Sequence, residues 1–424
     1  MTFHRPRTTP MGGTDRRGFD PRLDLGSLLD AVKVAHPAAG VDALAWELAG
    51  RVGADEVSLL IADINGRALV RLRRSFQRDR PSLARAEPER VPLQDTAAGT
   101  AIREQRVQLV RGTDGVRVHV PVSERGETVG VLELLLPTMP SEAVVDYLAA
   151  AAQALAYVVI ADRRHTDLYE VGQRGSELSL EAEIQRRLLP AAYSCEGPQF
   201  ALAGWQVPAD SAGGDTFDYV VGERTLSLSI TDAMGHGVAA AQLATLTVGS
   251  LRNSRRAGSG LADQARRAGL ALSEHAAPDQ FVTALLVEID LASGAARFVN
   301  AGHVGPLLVR DGRVVEVGLA PGLVLGIDPG LTYQVHHLQL EPGDRLVLLT
   351  DGMFEREAAD AEVAEVVAGL GRIHPREVAQ TLTRAVLDVS GGAVRDDATV
   401  MVVDWFGTGD AAPHPTAAPV SLPR

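Results

Sequence analysis

Four stretches of the chain set an aspartate against the end of an apolar run. They are SAGGDTFDYV around Asp215, LSLSITDAMGHG around Asp232, DRLVLLTDGMFE around Asp351, and VRDDATVMVVD with Asp396 and Asp397. One Asp-Gly or Asp-Thr step alone reads as a turn, because an aspartate side chain readily bonds backbone two residues on. Four in one half of a chain change the reading. Strand-end carboxylates that converge repel one another unless cations neutralise them. A donor set of oxygens selects hard divalent ions, Mg2+ or Mn2+, over zinc, and no H-E-x-x-H helix argues otherwise. A sheet edge also fixes metal-ligand geometry better than a loop would.

The elements that must position these acids follow from the pattern around them. From Cys195 to Trp405 strands dominate, with helices expected near 237–253, 261–275, 360–370 and 375–389. From Leu23 to Ala161 the order reads helix, strand, strand, short helix, strand, strand, helix. One hairpin is expected around Asn65-Gly66 and another at Arg125-Gly126, giving an antiparallel sheet with helices to one side. The stretch 162–190 is charged and helical, and Pro190 stops it; Leu168, Val171, Gly175, Leu178, Ala182, Gln185 and Leu189 keep a 3-4 spacing. Gly172, Gly175 and Gln185 make this a weak seam for a homodimer, in a helix that continues the apolar one at 147–161. The alternative is a helix lying on its own domain. Residues 1–22 and 409–424 have the composition of disordered tails. The expected division is therefore 1–22, 23–161, 162–192, 193–408 and 409–424, an α+β protein with two domains.

Bulk properties exclude several classes. The 424 residues carry a net charge of −13, against a general nucleic-acid binder. The only lysine is Lys33, so no phosphate loop of the G-x-x-x-x-G-K type exists and a Schiff-base enzyme is excluded. The only cysteine, Cys195, rules out an internal disulfide and is consistent with a reducing, cytoplasmic setting. A thiol phosphatase would want an arginine six positions on, where Ala201 stands. The apolar stretch at 147–161 is short of the roughly 20 residues of a membrane span and reads as a packing helix, so no membrane partner is expected.

Two resemblances extend this reading. The order of elements over about 23–161, with the G-x-A-I start of a short helix and the hairpin PVSERGETVGVLEL, resembles a GAF-type signal-input domain. That implies small-molecule or protein input. GGDTFD, ITDAMGHG, FVTALLVEID, VNAGHVGPLLVRDG, LEPGDRLVLLTDGMFE and RDDATVMVV, in that order, resemble the metal-dependent protein phosphatases of the protein phosphatase 2C-like superfamily. The closer likeness is to the bacterial branch of sporulation stage II and stress sigma-factor regulators. The resemblance implies a four-layer α-β-β-α sandwich and two divalent cations, Mn2+ or Mg2+, held by Asp215, Asp232, the carbonyl of Ala233, Asp351 and Asp396. Asp232 would bridge the ions, with Asp397 behind them. The implied reaction is hydrolysis of phosphoserine or phosphothreonine in a signalling protein such as an anti-sigma-factor antagonist, with a metal-activated water as nucleophile.

His236 is a candidate general acid for the leaving oxygen; the plainer reading is a solvent-facing side chain at a helix start. His303 is expected in a turn shaped by Asn300 and Gly302. GGDTF also invites comparison with diguanylate cyclases, but Thr216 stands where they need glutamate, and the later acid motifs would be left without a role. The remaining alternative is a phosphatase-fold scaffold acting as a binding module; loss of a metal acid would mark it, and all four positions keep aspartate.

Overall fold

Apolar residues at helical spacing near the N-terminus form α1 (Leu25–Val34) and α2 (Gly40–Val52) in a computed structural model that describes residues 25–63, 66, 68–71, 76–77, 89–173, 179–208, 213–354, 359–389, 394 and 396–408. Both expected tails, together with Asn65, Gly175 and Leu178, lie outside the described residues. After α2 come β1 (Glu56–Ala62), β2 (Ala68–Arg71), β3 (Phe76–Gln77), β4 (Glu89–Pro92), α3 (Ala97–Glu104), β5 (Gln108–Arg111), β6 (Val116–Glu124), β7 (Glu127–Leu136) and α4 (Glu142–Asp162). The strands make one antiparallel sheet in the order β4-β2-β1-β7-β6-β5, with β3 also paired to β1. The β6–β7 turn falls on Arg125 and Gly126, both at positive φ (45° and 80°), which matches the twist of the flanking strands.

Helix α4 closes this sheet. Leu148, Ala151, Leu155 and Val159 recur at 3-4 spacing and share one core with Leu44 and Leu48 of α2 and Val57, Val118 and Leu132 of the sheet. At 21 residues the helix is longer than its apolar centre suggests, and by length and hydropathy alone it is sufficient to cross a bilayer. The expectation that it falls short of a span is corrected. What supports its packing role is the half of that apolar window buried inside the protein.

The expected continuous rod through 147–190 is also corrected. Helix α4 ends at Asp162, and Thr166 accepts a hydrogen bond from the Leu168 amide (3.2 Å) to start a short α5 (Leu168–Gln173). A second start follows at Ser179, whose hydroxyl accepts from the Ala182 amide at the head of α6 (Leu180–Leu188). Two capping residues break what the 3-4 spacing alone reads as one helix.

The second half is a sandwich. Its strands are β8 (Ser194–Gly197), β9 (Phe200–Val207), β10 (Thr216–Val221), β11 (Thr225–Ala233), β12 (Val282–Asp290), β13 (Ala295–Ala301), β14 (Leu307–Arg310), β15 (Arg313–Glu316), β16 (His336–Gln339), β17 (Arg345–Leu349) and β18 (Ala398–Trp405). They form a five-stranded sheet, β10-β11-β12-β13-β16, and a six-stranded sheet, β15-β14-β17-β18-β9-β8, both antiparallel. Alternate residues of each meet between the sheets: Phe217, Leu228, Ile230, Leu285, Val287 and Phe298 from one, Leu202, Leu346, Leu348, Met401 and Val403 from the other. The opposite face of the first sheet is covered by α7 (Gly237–Arg256) and α8 (Leu261–His275), that of the second by α9 (Ala359–Gly369) and α10 (Pro375–Val389). The four layers are helix, sheet, sheet, helix.

Candidate active site

The acids gather where the two sheets end. Asp232 is the penultimate residue of β11, Asp215 immediately precedes β10, Asp351 opens a 3-10 turn after β17, and Asp396 and Asp397 lead into β18. Their environments differ sharply. Asp215 and Asp397 are buried, whereas Asp351 and Asp396 are exposed. Asp215 Oδ2 accepts from the hydroxyls of Thr350 and Thr399, 2.7 Å each. Asp397 accepts from Gln185 Nε2, from Gln206 Nε2 (3.2 Å) and from the Gly213 amide (3.1 Å). Its carbonyl passes so close to Gly352 that any Cβ there would collide with it, which is why glycine follows Asp351.

Electrostatics report the same convergence. Asp232 is pushed up to about 7, by burial first and then by the charges of Asp351, Asp396 and Asp397. Asp215 is raised well above the usual carboxylate range, by burial and then by Asp232 and Asp397, against the two threonine hydroxyls. Such a cluster is a poor place for protons and a good one for cations. Among the described residues no group of three or more His, Cys, Asp or Glu side chains closes around a single point as it stands. The oxygen-only donor set, with the Ala233 carbonyl at the end of β11, nevertheless fits hard divalent ions.

Neither histidine touches the acids. His236 is exposed at the start of α7 and makes no side-chain capping bond; Gly235 and Gly237 beside it have φ of 88° and 73°. His303 is buried, with Nδ1 2.7 Å from the Thr283 hydroxyl and Nε2 3.1 Å from the Leu349 carbonyl. Burial lowers its pKa to about 4, so it is a neutral brace between the sheets. Asn300 bonds both the amide and the carbonyl of His303, and Gly302 has φ of 69°, as the VNAGH turn requires.

Sequence reasoning missed Thr350, Thr399 and Gln206, which orient Asp215 and Asp397. A signal was present: threonine directly precedes Asp351 and follows Asp397 by two residues. Gln185 was assigned to a dimer seam. It is buried instead, donating to the Asp215 carbonyl (2.8 Å) and to Asp397, while Leu189 joins the core between the sheets. Helix α6 therefore lies on its own domain. Arg252 of α7 holds it there, bonding the Leu188 carbonyl (2.6 Å) and the buried Asp218 (3.1 Å).

Comparison with known proteins fits this geometry. Residues 222–406, which include every candidate site residue except Asp215, match the family model described as Stage II sporulation protein E (SpoIIE). Stage II sporulation protein E of Bacillus subtilis is 28% identical over 195 residues, 45% of this chain and 24% of that protein. Phosphoserine phosphatase RsbU of the same organism is 24% identical over 228 residues, 53% of this chain and 67% of that protein. The chain thus spans about a quarter of the length of the first and two thirds of the second. Among solved structures, the RsbU and RsbW domains of Rv1364c from Mycobacterium tuberculosis superpose with a TM-score of 0.46 at 26% identity, over 50% of this chain and 62% of that one. Over residues 222–406 the chain is thus similar to the SpoIIE/PP2C phosphatase domain family.

Proposed function

We propose that residues 193–408 are a metal-dependent phosphoserine/phosphothreonine protein phosphatase of a signalling pathway, and that residues 23–161 are a GAF-like input domain joined to it by 162–192. The observation that carries the reading is the convergence of Asp215, Asp232, Asp351, Asp396 and Asp397 from four separate segments onto one end of the sandwich, close enough to raise Asp215 and Asp232. Two Mn2+ or Mg2+ ions held by Asp215, Asp232, Asp351, Asp396 and the Ala233 carbonyl would lower the pKa of a water and neutralise the phosphoryl oxygens. The protein's own residues supply the frame: Thr350 and Thr399 aim Asp215, while Gln185, Gln206 and the Gly213 amide hold Asp397.

Selectivity for a phosphoprotein would rest on contacts with the partner protein beyond the phosphate itself. By likeness to RsbU and to SpoIIE, the substrate is an anti-sigma-factor antagonist or a similar small phosphoprotein. A homodimer belongs to the same proposal; with Gln185 and Leu189 engaged within the protomer, Leu180, 65% exposed on α6, is an apolar position that could serve it. The test is phosphate release from a serine-phosphorylated antagonist protein by the full chain, with and without Mn2+. Metal-dependent turnover that exceeds turnover of free phosphoserine is expected. Binding of the phosphoprotein without hydrolysis in saturating Mn2+ would favour the scaffold alternative.

A further inference from the structure

Between the N-terminal sheet, α4 to α6 and the sandwich lies a cleft of about 450 Å3 whose lining includes none of Asp215, Asp232, Asp351, Asp396 and Asp397. That volume falls in the range of roughly 300–1,000 Å3 found for small-molecule sites. Its charged lining among the described residues is five arginines (Arg163, Arg164, Arg186, Arg187, Arg376) against three carboxylates (Asp63, Glu127, Glu170).

The carboxylates are largely engaged elsewhere. Glu170 pairs with Arg186 (2.8 Å) and Arg187 (3.1 Å), and Asp63 with Arg90 (2.7 Å). Glu127 accepts from the amides of Tyr193 (3.1 Å) and Ser194 (2.9 Å) and from the Ser194 hydroxyl (2.9 Å). Arg376 spends its guanidinium on the Gly126 carbonyl, the Thr128 hydroxyl and the Ile102 carbonyl.

Arg186 and Arg376 each leave a buried Nε without a hydrogen bond but bond through their other nitrogens, whereas Arg163 leaves two nitrogens so. Its Nε and Nη2 are buried with no hydrogen-bond partner, and burial pulls its pKa below the usual guanidinium value despite the attraction of Glu127. An under-compensated buried cation destabilises a fold that has nothing to place beside it. Next to it the wall is apolar and aromatic: Ile160, Leu189, and Tyr193 set edge-on to Trp205 with ring centroids 5.9 Å apart.

We propose that this interdomain cleft binds a small organic anion with a flat apolar part, of the size of a nucleoside monophosphate, with Arg163 as its main charge partner and Trp205 and Tyr193 in its wall. The guanidinium fork suits a phosphate or carboxylate, and an aromatic wall suits a planar ring. Because the cleft is built from both halves and from α6, whose Gln185 reaches Asp397, its occupant would bind the assembled arrangement in preference to separated domains.

The experiment uses the full chain in EDTA, so that no nucleotide is held or hydrolysed at the acid cluster. AMP, GMP, the matching uncharged nucleosides and inorganic phosphate are titrated by calorimetry, with tryptophan fluorescence of the wild type as a second readout and a Trp205→Phe control. Saturable binding of a monophosphate is expected, at least about 10-fold tighter than its nucleoside. Arg163→Met should weaken it at least about 10-fold while leaving the ligand-free melting temperature unchanged or higher, and Arg163→Lys should fall between. The proposal is overturned if no monophosphate binds saturably at millimolar concentration, if binding appears only when Mn2+ is restored, or if Arg163→Met binds as the wild type does. Should Arg163→Met unfold, the wild-type fluorescence titration and Arg163→Lys still decide. None of these outcomes depends on phosphatase activity.

Discussion

The inner and outer acids of the site are held in opposite ways. Asp215 and Asp397 are buried and receive two and three hydrogen bonds from the protein, whereas Asp351 and Asp396 stand exposed on turns of the six-stranded sheet. The inner pair is part of the frame, and its positions are set by threonine, glutamine and backbone donors. The outer pair faces solvent, with Asp396 Oδ1 accepting from the Asp397 amide (2.8 Å), and so stays open to ions from outside. Asp232, between them at the end of β11, feels both: its pKa near 7 reflects burial and then Asp351, Asp396 and Asp397. A site built this way separates stability from chemistry, and variants can test each side.

The largest effect is expected at the junction. Asp232→Asn removes charge with little change of volume, and turnover of a phosphoprotein in saturating Mn2+ should fall on the order of 1,000-fold while far-UV circular dichroism is unchanged. Turnover within a few-fold of wild type would refute the placement of Asp232 between the ions.

Inner and outer acids should then part company. Asp351→Asn and Asp396→Asn are expected to lose about 100-fold in turnover and to raise the Mn2+ concentration needed for half activity, with a metal-free melting temperature equal to or slightly above wild type, because a like charge is removed. Asp397→Ala removes the acceptor of the buried Gly213 amide and one of the two acceptors of Gln185 and Gln206, which keep the Asp215 carbonyl, a loss of about 1–3 kcal/mol and several degrees of melting temperature. Equal melting temperatures across the three variants would erase the distinction between frame and ligand.

The orienting groups come next. Thr350→Val and Thr399→Val each remove one of the two hydroxyls on Asp215 Oδ2, and a loss of about 10-fold is expected, with Thr350→Ser close to wild type. Gln185→Leu should act similarly through Asp397 and the Asp215 carbonyl, although Gln185 belongs to the connecting segment. Failure of serine to rescue at position 350 would show that the methyl packing, and not the hydroxyl, matters there.

These groups mark where the sequence could and could not be read. The acids were legible because an apolar strand that ends on Asp followed by Gly repeats at Asp351 and nearly so at Asp232, and the sandwich helices were legible from their spacing. Thr350, Thr399 and Gln206 were not, since their role depends on which strands lie side by side: β17 beside β18, β18 beside β9. Gln185 was misread because a short 3-4 pattern looks the same whether its stripe meets a second copy or the helix's own domain. The break after α4 lay in Thr166 and Ser179, weak signals inside a strong helical pattern.

The smallest effect is expected at His236. A general acid that protonates the leaving oxygen contributes about 100- to 10,000-fold, so its removal should be visible at once. The imidazole here is exposed at the start of α7, makes no capping bond, and is flanked by Gly235 and Gly237, both at positive φ. His236→Ala is therefore expected to change turnover by less than about 3-fold at neutral pH, and to leave the pH profile between 6 and 8 unaltered. A loss of 100-fold or more, confined to substrates with poor leaving groups and absent with p-nitrophenyl phosphate, would return His236 to the reaction. It would also mean that a solvent-facing group swings inward only when a phosphoprotein covers the site.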